Sequence, residues 1–418
     1  MTMADNKDKK VLNVPALRFP EFTEEWKRIK VSDLLDFYST NSLSWEQLVY
    51  ESNEPYNLHY GLIHVGLPTI IDLTKDKLPS IKDGNVPKKY ELCKEGDIAF
   101  ADASEDTNEV AKVVEFYNLD SKKVVCGLHT IHGRNNNEQT AKGFLGYCFS
   151  SIVFHNQIRR IAQGTKIYSI NTRNFSEVFV GLPSRSEQQK IAILLRLIDE
   201  RITTQNKIIE DLKKLKSAIV EMILCKQGGV LLKLGDVGSF IRGLTYSSED
   251  IAEDINATTV IRANNLNYGN NVNKKDVVYV NKKPTEIQIL RKGDIVICMA
   301  NGSSSLVGKN SYYSFDDRQS TIGAFCGIYR SSQPLVKWLM QSQRYRRLVY
   351  QSLQGGNGAI ANLNGDDILN MTFRVVEDKK SVSILSTIVL IENFISVNEK
   401  LQELYSIQKK YLLQHLFI

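Results

Sequence analysis

Cysteine is scarce and unpatterned in this sequence of 418 residues. Its six cysteines contain no C-x-x-C pair, and the polar start from Met1 to Lys10 is not a signal peptide. The longest apolar stretches, such as Ile191 to Leu195, are too short to cross a bilayer. These absences predict a reduced, cytoplasmic protein with no membrane partner, made of two to three domains that bury their cores without disulfides or metals.

Catalytic signatures are also missing. No two prolines are adjacent, which excludes the N-P-P-Y or D-P-P-Y segment of adenine methyltransferases. The segment from Gly302 to Asn310 is close to a phosphate-binding loop, but five residues rather than four separate its glycines, and Asn310 stands where Mg²⁺ needs a hydroxyl. His129 and His132 lack the nearby Cys or carboxylate ligands of a zinc site. We therefore expect a binding module with no catalytic residue, no metal site and no cofactor.

The charge is weakly informative. The 53 Lys and Arg exceed the 47 Asp and Glu by six, a modest basic bias that permits a nucleic-acid partner without requiring one.

The main positive feature is an internal duplication. The segment from Lys94 to Ile98 (K-x-G-D-I) aligns with Lys292 to Ile295 (K-G-D-I) at an offset of about 197 residues. Further anchors follow in the same order: 127–134 with 323–330, Gln163-Gly164 with Gln354-Gly355, and Ile170-Asn171 with Ala361-Asn362. A period this long exceeds that of solenoids, so each copy is expected to be a domain.

Each copy is followed by a long amphipathic helix, predicted near 187–224 and 382–416. The apolar positions alternate in steps of three and four, as in a coiled coil. In the first helix they are Leu195, Ile198, Ile202, Ile209, Leu212, Ile219 and Ile223, with Gln205 and Lys216 at the remaining seam positions; in the second they are Ile384, Ile388, Ile391, Ile395, Asn398, Leu401 and Tyr405. The two helices most simply pair antiparallel as a rigid spacer of roughly 57 Å. A buried core helix or a homodimer seam remains the alternative.

The predicted fold is therefore α+β. Two homologous mixed α/β domains, 21–184 and 228–377, follow a leader (1–20) and are separated by a central helix (185–227), with a distal helix at 378–418. One further helix is expected near Lys142 to Ala162, carrying a basic pair that can neutralise phosphates.

Polar loops after each G-D-I strand are the candidate reading surface. The first, Ala101 to Lys112, is acidic and suited to accept a hydrogen bond from a cytosine amino group, whereas the second, Ala300 to Lys309, is neutral. Two different loops on one scaffold would read two different DNA sequences. For any one residue, an ordinary polar loop position remains the alternative. The candidate DNA-contacting residues are His64, Ser104, Glu105, Asn108, Lys112, Arg159, Arg160, Lys166 and Tyr168 in the first copy, and Arg262, Asn264, Asn265, Asn301, Ser303, Ser304, Lys309, Arg346, Arg347, Asn357 and Asn362 in the second.

With these residues in view, the chain resembles the specificity subunit of type I restriction-modification systems over nearly its whole length. The resemblance is carried by the leader Leu17 to Phe22 running into Trp26, by the repeated K-x-G-D-I strand and Q-G loop, and above all by Leu182-Pro183 followed by Glu187 to Ile191 (E-Q-Q-K-I). One departure is visible, because Val376 to Val382 lacks the P-x-x-E-Q-Q-x-I pattern expected before the distal helix.

The resemblance implies two target-recognition domains that each read half of a split site in double-stranded DNA. It also implies a coiled coil that sets the gap and docks two modification subunits. Those partners would bind S-adenosylmethionine and methylate adenine, and separate restriction subunits would cut DNA with ATP and Mg²⁺. The alternatives are a methyltransferase fused to its specificity region and a coiled-coil scaffold that binds only protein.

Overall fold

In the computed structural model, the described residues are 13–51, 54–135, 137, 139–225, 227–353, 360–376 and 378–418. The chain forms two compact units. Unit 1 comprises Met1–Asn206 and Lys400–Ile418, and unit 2 comprises Lys207–Glu399. Both divisions fall inside the long helices, and the predicted domain limits 21–184 and 228–377 stay predictions.

Unit 1 is built from short strands, short helices and part of the first long helix. Its strands are β1 (Lys27–Lys30), β2 (Asp36–Tyr38), β3 (Leu48–Val49), β4 (Tyr56–Leu58), β5 (Ile70–Asp72), β6 (Ser80–Ile81), β7 (Ile98–Ala101), β8 (Ala103–Ser104), β9 (Val113–Asn118), β10 (Val124–Cys126), β11 (Thr130–Arg134), β12 (Tyr168–Ser169) and β13 (Phe179–Leu182). Its helices are α1 (Val31–Leu34), α2 (Tyr60–His64), α3 (Phe144–Phe149), α4 (Ile152–Ile161), α5 (Thr172–Ser176) and the first part of α6 (Arg185–Glu221).

Unit 2 repeats this order. Its strands are β14 (Val230–Lys233), β15 (Gly238–Arg242), β16 (Ile251–Ala252), β17 (Thr258–Ile261), β18 (Val278–Val280), β19 (Ile295–Cys298), β20 (Ala300–Asn301), β21 (Asn310–Tyr312), β22 (Ser320–Ile322), β23 (Cys326–Ser331), β24 (Ala361–Asn362) and β25 (Thr372–Val375). Its helices are the last part of α6, α7 (Leu234–Val237), α8 (Val336–Leu339), α9 (Gln343–Ser352), α10 (Gly365–Leu369) and the first part of α11 (Asp378–His415), whose last part belongs to unit 1.

The two units share a sheet topology. Unit 1 has a sheet ordered β2-β11-β7-β9-β5 and unit 2 a sheet ordered β15-β23-β19-β21, in which β7 corresponds to β19 and β11 to β23. The second sheet contains a parallel pair in each unit, β4 with β10 and β17 with β22. Two ribbons also recur: β1 with β13 matches β14 with β25, and β8 with β12 matches β20 with β24. The duplication seen in the sequence is therefore a duplication of structure, and the mixed α/β composition is confirmed.

The predicted helix at Lys142 to Ala162 is divided into α3 and α4. Ser151 lies between them in extended conformation, and its side chain accepts a hydrogen bond from Phe154 N at the start of α4. Such a cap satisfies a free amide of the new helix and favours a break over a continuous helix.

The main core of unit 1 is aromatic. Phe100, Phe149, Phe154 and Phe175 form edge-to-face and tilted contacts with ring centroids 4.7–6.5 Å apart. Residues from the last turn of α11 and beyond complete this core, since Leu416 and Phe417 are buried in the same cluster.

The two long helices pack against each other within each unit. In unit 2, Lys213 pairs with Glu399 and Lys216 with Glu392. Residues later in α6 therefore contact residues earlier in α11. In unit 1, Asp199 lies 2.6 Å from Lys409. Both observations indicate antiparallel packing.

The seam of α6 follows the predicted positions, which are buried or half-buried from Leu195 to Ile223. In α11 one predicted position was wrong. Leu401 is exposed and Gln402 is half-buried. Successive seam positions of α11 are alternately four and three residues apart. The position after Asn398 is four residues further on, so the polar Gln402 lies in the seam in place of Leu401.

Segment Lys380–His415 of α11 is long and apolar enough to cross a membrane by length and composition alone, with a mean hydropathy of 1.5 in its most apolar window of 18 residues. This differs from the expectation drawn from short apolar runs, because uncharged polar residues such as Ser396 interrupt the run without lowering the average much. In unit 2, Ile388 of this helix is fully buried in the same cluster as Val220 of α6 and Ile223, which follows α6.

Candidate nucleic-acid interface

An equivalent Arg–Asp ion pair holds the start of the strand that leads into the candidate loop of each unit. Arg134 on β11 donates to both carboxylate oxygens of Asp97, at 2.9 and 2.8 Å, and Arg330 on β23 does the same to Asp294, at 2.8 and 2.7 Å. The two aspartates are almost fully buried. A planar guanidinium matches a carboxylate through two parallel bonds, which fixes geometry as well as charge.

The same aspartates also close the turn that precedes each strand. Asp97 accepts from Lys94 N and Asp294 from Arg291 N, both at 2.8 Å. The repeated K-x-G-D-I pattern thus encodes a turn locked to the neighbouring strand. It holds the start of β7 and β19, whose far ends lead into the candidate loops.

In unit 1, the structure brings several predicted residues together around loop 1 (residues 101–112). Arg159 on α4 donates to the Asn108 side chain at 2.7 Å. Lys112 donates to Glu109 at 2.7 Å and to the carbonyl of His64 at 2.9 Å. These bonds tie α4 and α2 to the loop, and they use the charges of Arg159 and Lys112 to order it.

The β8–β12 ribbon, which begins in this loop, carries the candidates Ser104 and Tyr168, and its turn carries Lys166. Tyr168 lies opposite Ser104, and Gln163 and Ser169 exchange backbone bonds across the Q-G turn. Gly164 takes φ +138°, and a Cβ there would clash with the carbonyl of Ile167, so the turn requires glycine. Lys166 is exposed at its tip.

Exposed charges remain at the surface of both units. Arg160 and Lys166 in unit 1, and Arg346 and Arg347 on α9 in unit 2, are exposed, as is Glu105 on loop 1. Among the described residues these four cations have no ion-pair or hydrogen-bond partner, so their charges are available to phosphates.

Sequence reasoning missed a ring cluster next to loop 1. Tyr60 stacks edge-on against His129 at 5.3 Å, and His59 packs between Tyr60 and Trp45 at 4.6 and 4.4 Å. His129 Nδ1 lies 3.2 Å from Asp102, and burial raises the pKa of that carboxyl. In the structure His129 lies in a tight turn after Gly127 and adopts φ +55°. The exposed rings of Trp45 and His129 here can meet base edges.

In unit 2, the equivalent loop 2 (residues 300–309) follows β19 and pairs with β24. Asn301 lies opposite Ala361 and Ala300 opposite Asn362. Asn301 accepts from Ser303 N at 2.9 Å. Ser303 and Ser304 are exposed, and neither loop 2 nor its ribbon carries an acidic side chain. The electrostatic contrast with loop 1 is therefore real in the folded protein.

A cavity of about 510 Å³ opens beside loop 2. Arg262, Asn264 and Asn301 line it, together with Tyr246 and the exposed side chains of Phe325 and Ile360. Arg262 Nε is buried with no partner among the described residues, although its Nη2 donates to the carbonyl of Asp276 at 3.4 Å. Apolar walls with a few directed polar groups are typical of sites that bind a planar heterocycle. Tyr246, Phe325 and Ile360 had no sequence signal.

A second cavity of about 580 Å³ lies on the other side of loop 2, with four cationic residues among those lining it. They are Lys213, Lys216, Lys309 and Arg346. Lys309 also lies 5.0 Å from the ring of Tyr268. This places Lys309 and Arg346 in one positively charged cleft, as a phosphate backbone would require.

Asn265 is placed differently from its prediction as a base contact. It is 1% exposed, it accepts from Arg262 N at 2.9 Å, and it donates to Lys275 O at 2.8 Å. Its amide shapes the loop instead of facing solvent. Asn357 lies outside the described residues.

The E-Q-Q segment before α6 also has a structural role. Glu187 is 1% exposed and accepts two bonds from Arg18, at 2.7 and 2.8 Å, and one from Trp26 at 3.3 Å. Gln188 accepts from Ala141 N at 2.7 Å and donates to Pro183 O at 2.9 Å. The E-Q-Q segment therefore joins the leader, the sheet domain and the long helix.

One cluster contradicts the expectation that His132 has no metal-type ligand nearby. Cys93 and Cys126, 33 residues apart, lie with their sulfurs 3.6 Å from each other, and His132 completes a group whose ligand atoms are all within 4.8 Å. Sequence spacing could not reveal it, because strand pairing brings the three residues together.

Comparison with known proteins gives consistent results. Residues 115–214 match the family model of the type I restriction modification DNA specificity domain. The chain is 28% identical over 164 residues to the EcoKI specificity subunit of Escherichia coli (strain K12), and equally to the StySPI specificity subunit of Salmonella potsdam. The aligned part is 38% of this chain and spans only about a third, 35%, of each relative's length.

Solved structures agree in fold over the whole chain. The S subunit of a type I system from M. genitalium matches 97% of this chain and 99% of its own at 15% identity, with a TM-score of 0.56. A structure described in terms of complex assembly and conformational transition of the type I R-M system matches 93% and 96% at 13% identity, with a TM-score of 0.58. The resemblance to type I specificity subunits is thereby confirmed, and the solved structures share the mixed α/β fold of this chain.

Proposed function

We propose that this chain, which is similar to the specificity subunits of type I restriction-modification systems, is the DNA-recognition subunit of such a complex. Its two units read the two halves of a split site in double-stranded DNA, and the chain itself catalyses nothing. The observation that carries the proposal is the repeated support of loop 1 and loop 2 by the same buried Arg–Asp pair, while the loops differ in charge.

Each unit contributes base-reading and phosphate-binding groups. In unit 1 the acidic loop accepts from amino groups in the major groove, and Arg160 and Lys166 meet phosphates. In unit 2 the cavity bordered by Arg262, Asn264 and Asn301 holds base edges, and Arg346 meets the backbone. The DNA sequences of the two half-sites should therefore differ.

The long helices set the gap and dock two modification subunits. An exposed apolar face on α11 supports the docking role, because contiguous apolar surface on a helix marks a protein interface. It includes Leu390, Phe394, Val397, Leu404 and Tyr411. The modification subunits bind S-adenosylmethionine and methylate adenine, and restriction subunits supply ATP- and Mg²⁺-dependent cleavage.

The first test is reconstitution. The purified chain is incubated with DNA and labelled S-adenosylmethionine, with and without its modification subunits, and methylated adenines are mapped. We expect methylation only in the assembled complex. The methylated site should consist of two short fixed DNA sequences separated by a gap of unspecified bases. Methyl transfer by the chain alone would indicate a methyltransferase fused to its specificity region. If the assembled complex did not retain DNA in a salt-sensitive way, the chain would be a protein scaffold.

The independence of the two readers is tested by single substitutions. Asn301→Ala should relax one half-site and Ser104→Ala the other, whereas Asn281→Ala, which changes an exposed asparagine of unit 2 outside these loops, should alter neither. Relaxation of both halves by one substitution would refute separate readers.

The spacing role is tested by adding seven residues to both helices, after Asn206 in α6 and after Glu399 in α11. One heptad in each preserves the seam and lengthens the pair by about 10 Å, or roughly three base pairs. The expected result is a longer gap with unchanged half-sites. Changed half-sites at constant gap length would contradict the proposal.

A further inference from the structure

Unit 1 contains a buried group of two thiols and one imidazole for which DNA recognition has no use. Cys93 precedes the K-x-G-D-I turn, Cys126 ends β10, and His132 lies on β11. They are 6%, 2% and 0% exposed, and the two sulfurs are 3.6 Å apart.

The duplicated fold shows what this position normally contains. Cys93 N donates to Val124 O and Leu290 N to Ser320 O, so Cys93 corresponds to Leu290. In the parallel strand pairs, Cys126 lies opposite Leu58 just as Ile322 lies opposite Ile261. His132 lies opposite Ala99 just as Ile328 lies opposite Val296.

Three core positions that are Leu290, Ile322 and Ile328 in unit 2 are thus Cys93, Cys126 and His132 in unit 1. In unit 2 the three apolar residues belong to one hydrophobic cluster. The same scaffold packs well without any polar atom at these positions. Burying a polar atom without a partner costs stability, so its presence in unit 1 calls for a ligand.

The imidazole is oriented so that one ring nitrogen contacts a carboxylate and the other lies free to bind a metal ion. His132 Nε2 lies 2.7 Å from Asp97 Oδ2, and a carboxylate acceptor places the proton on Nε2. Nδ1, buried and without a partner among the described residues, then carries a free lone pair. A carboxylate behind a histidine in this way is the usual outer support of a metal-bound imidazole.

The sulfur geometry agrees with coordination. Two thiolates bound to one zinc ion at about 2.3 Å and at the tetrahedral angle are about 3.8 Å apart.

We infer that Cys93 Sγ, Cys126 Sγ and His132 Nδ1 form a structural site for a soft d¹⁰ metal ion, Zn²⁺ or Cu⁺. Two thiolates and one imidazole prefer such ions over hard cations. Binding forms two metal–sulfur bonds and one metal–nitrogen bond and releases the two thiol protons to solvent. No change in oxidation state is needed.

The test uses the full-length chain, purified under anaerobic reducing conditions, stripped with a chelator and reloaded separately with Zn²⁺ and with Cu⁺. Metal per chain is measured by mass spectrometry, and Co²⁺ is added as a probe because thiolate-to-cobalt charge transfer reports sulfur ligands. We expect about one ion per chain, with the tighter of the two arms identifying the natural ion. We also expect a higher thermal midpoint with metal than without it.

The matched variant replaces the three ligands by the residues of unit 2, as Cys93→Leu, Cys126→Ile and His132→Ile. It should bind no ion. The control Cys298→Ala with Cys326→Ala removes two cysteines that face each other across β19 and β23. It should bind as the natural chain does.

A second variant covers the case in which the triple variant does not fold. His132→Gln keeps a donor toward Asp97 and removes Nδ1, so metal affinity should fall at least about tenfold with the far-ultraviolet circular dichroism unchanged. Three outcomes would overturn the inference: no ion on the natural chain, an ion retained by the triple variant, or equal affinity in the His132→Gln variant.

Discussion

Replacing Phe417 by alanine should destabilise unit 1 and leave unit 2 unchanged. Phe417 is 4% exposed, with its ring 6.4 Å from Trp26 and 5.9 Å from Phe144. Truncation removes a large buried ring and leaves a cavity that the sheet and α6 cannot close. Substitutions of this kind cost about 3–5 kcal/mol. The control Tyr411→Ala removes an exposed ring from α11, six residues before Phe417, and its cost should stay within about 0.5 kcal/mol.

Hydrogen exchange measured by mass spectrometry separates the two units. If the amides of β7 exchange through opening of unit 1, a loss of about 3–5 kcal/mol lowers their protection by roughly two to three and a half powers of ten. Protection in β19 of unit 2 should not change. An equal loss in both strands, or a change below about 1 kcal/mol in β7, would show that the C-terminal residues are not part of the core of unit 1.

Three further predictions concern charge. Because burial raises the pKa of Glu115 to about 7, folded unit 1 holds its proton more tightly than the unfolded chain does, and this stabilisation is present below about pH 4.5 and lost as the pH rises through 7. The free energy of unfolding in urea should therefore fall between pH 5 and pH 8 by up to about 3 kcal/mol more in the natural chain than in the Glu115→Gln variant. An equal fall in both proteins would refute the role of the buried carboxyl. Asp294→Asn leaves Arg330 without its partner and should cost unit 2 about 3 kcal/mol in the same assay, with unit 1 unaffected. Removing Arg346 and Arg347 together should weaken DNA binding by the assembled complex for all sequences and reduce the slope of log affinity against log salt by about 0.9 for each phosphate that is no longer neutralised; a change in preferred sequence at constant slope would assign these residues to base reading.

The parts of this fold that could be predicted are those with local, periodic signals. The K-x-G-D-I repeats predicted equivalent strands, and the strands carry equivalent ion pairs from Asp97 and Asp294. The heptad pattern of α6 predicted its seam. In α11 the prediction was wrong at Leu401. The apolar residue nearest the expected seam position is Leu401, but the heptad spacing places the polar Gln402 in the seam.

The candidate site was predictable only as a region. Asn264 and Asn265 are neighbours in an irregular loop, which has no periodicity to separate inward from outward side chains, and only Asn264 faces the cavity. Phe325 and the group around His132 depend on pairing between strands distant in sequence. Such contacts follow from the register of a sheet, which short polar and apolar patterns do not specify.

The division of the chain also determines the order in which its units fold during synthesis. Unit 2 is one continuous segment, whereas unit 1 needs Leu416 and Phe417 to complete the core that its first segment begins. At about 5–20 residues per second, the ribosome needs roughly 10–40 s to make the intervening residues. The first segment of unit 1 is made first, but we expect unit 1 to finish folding last, when Leu416 and Phe417 join its core.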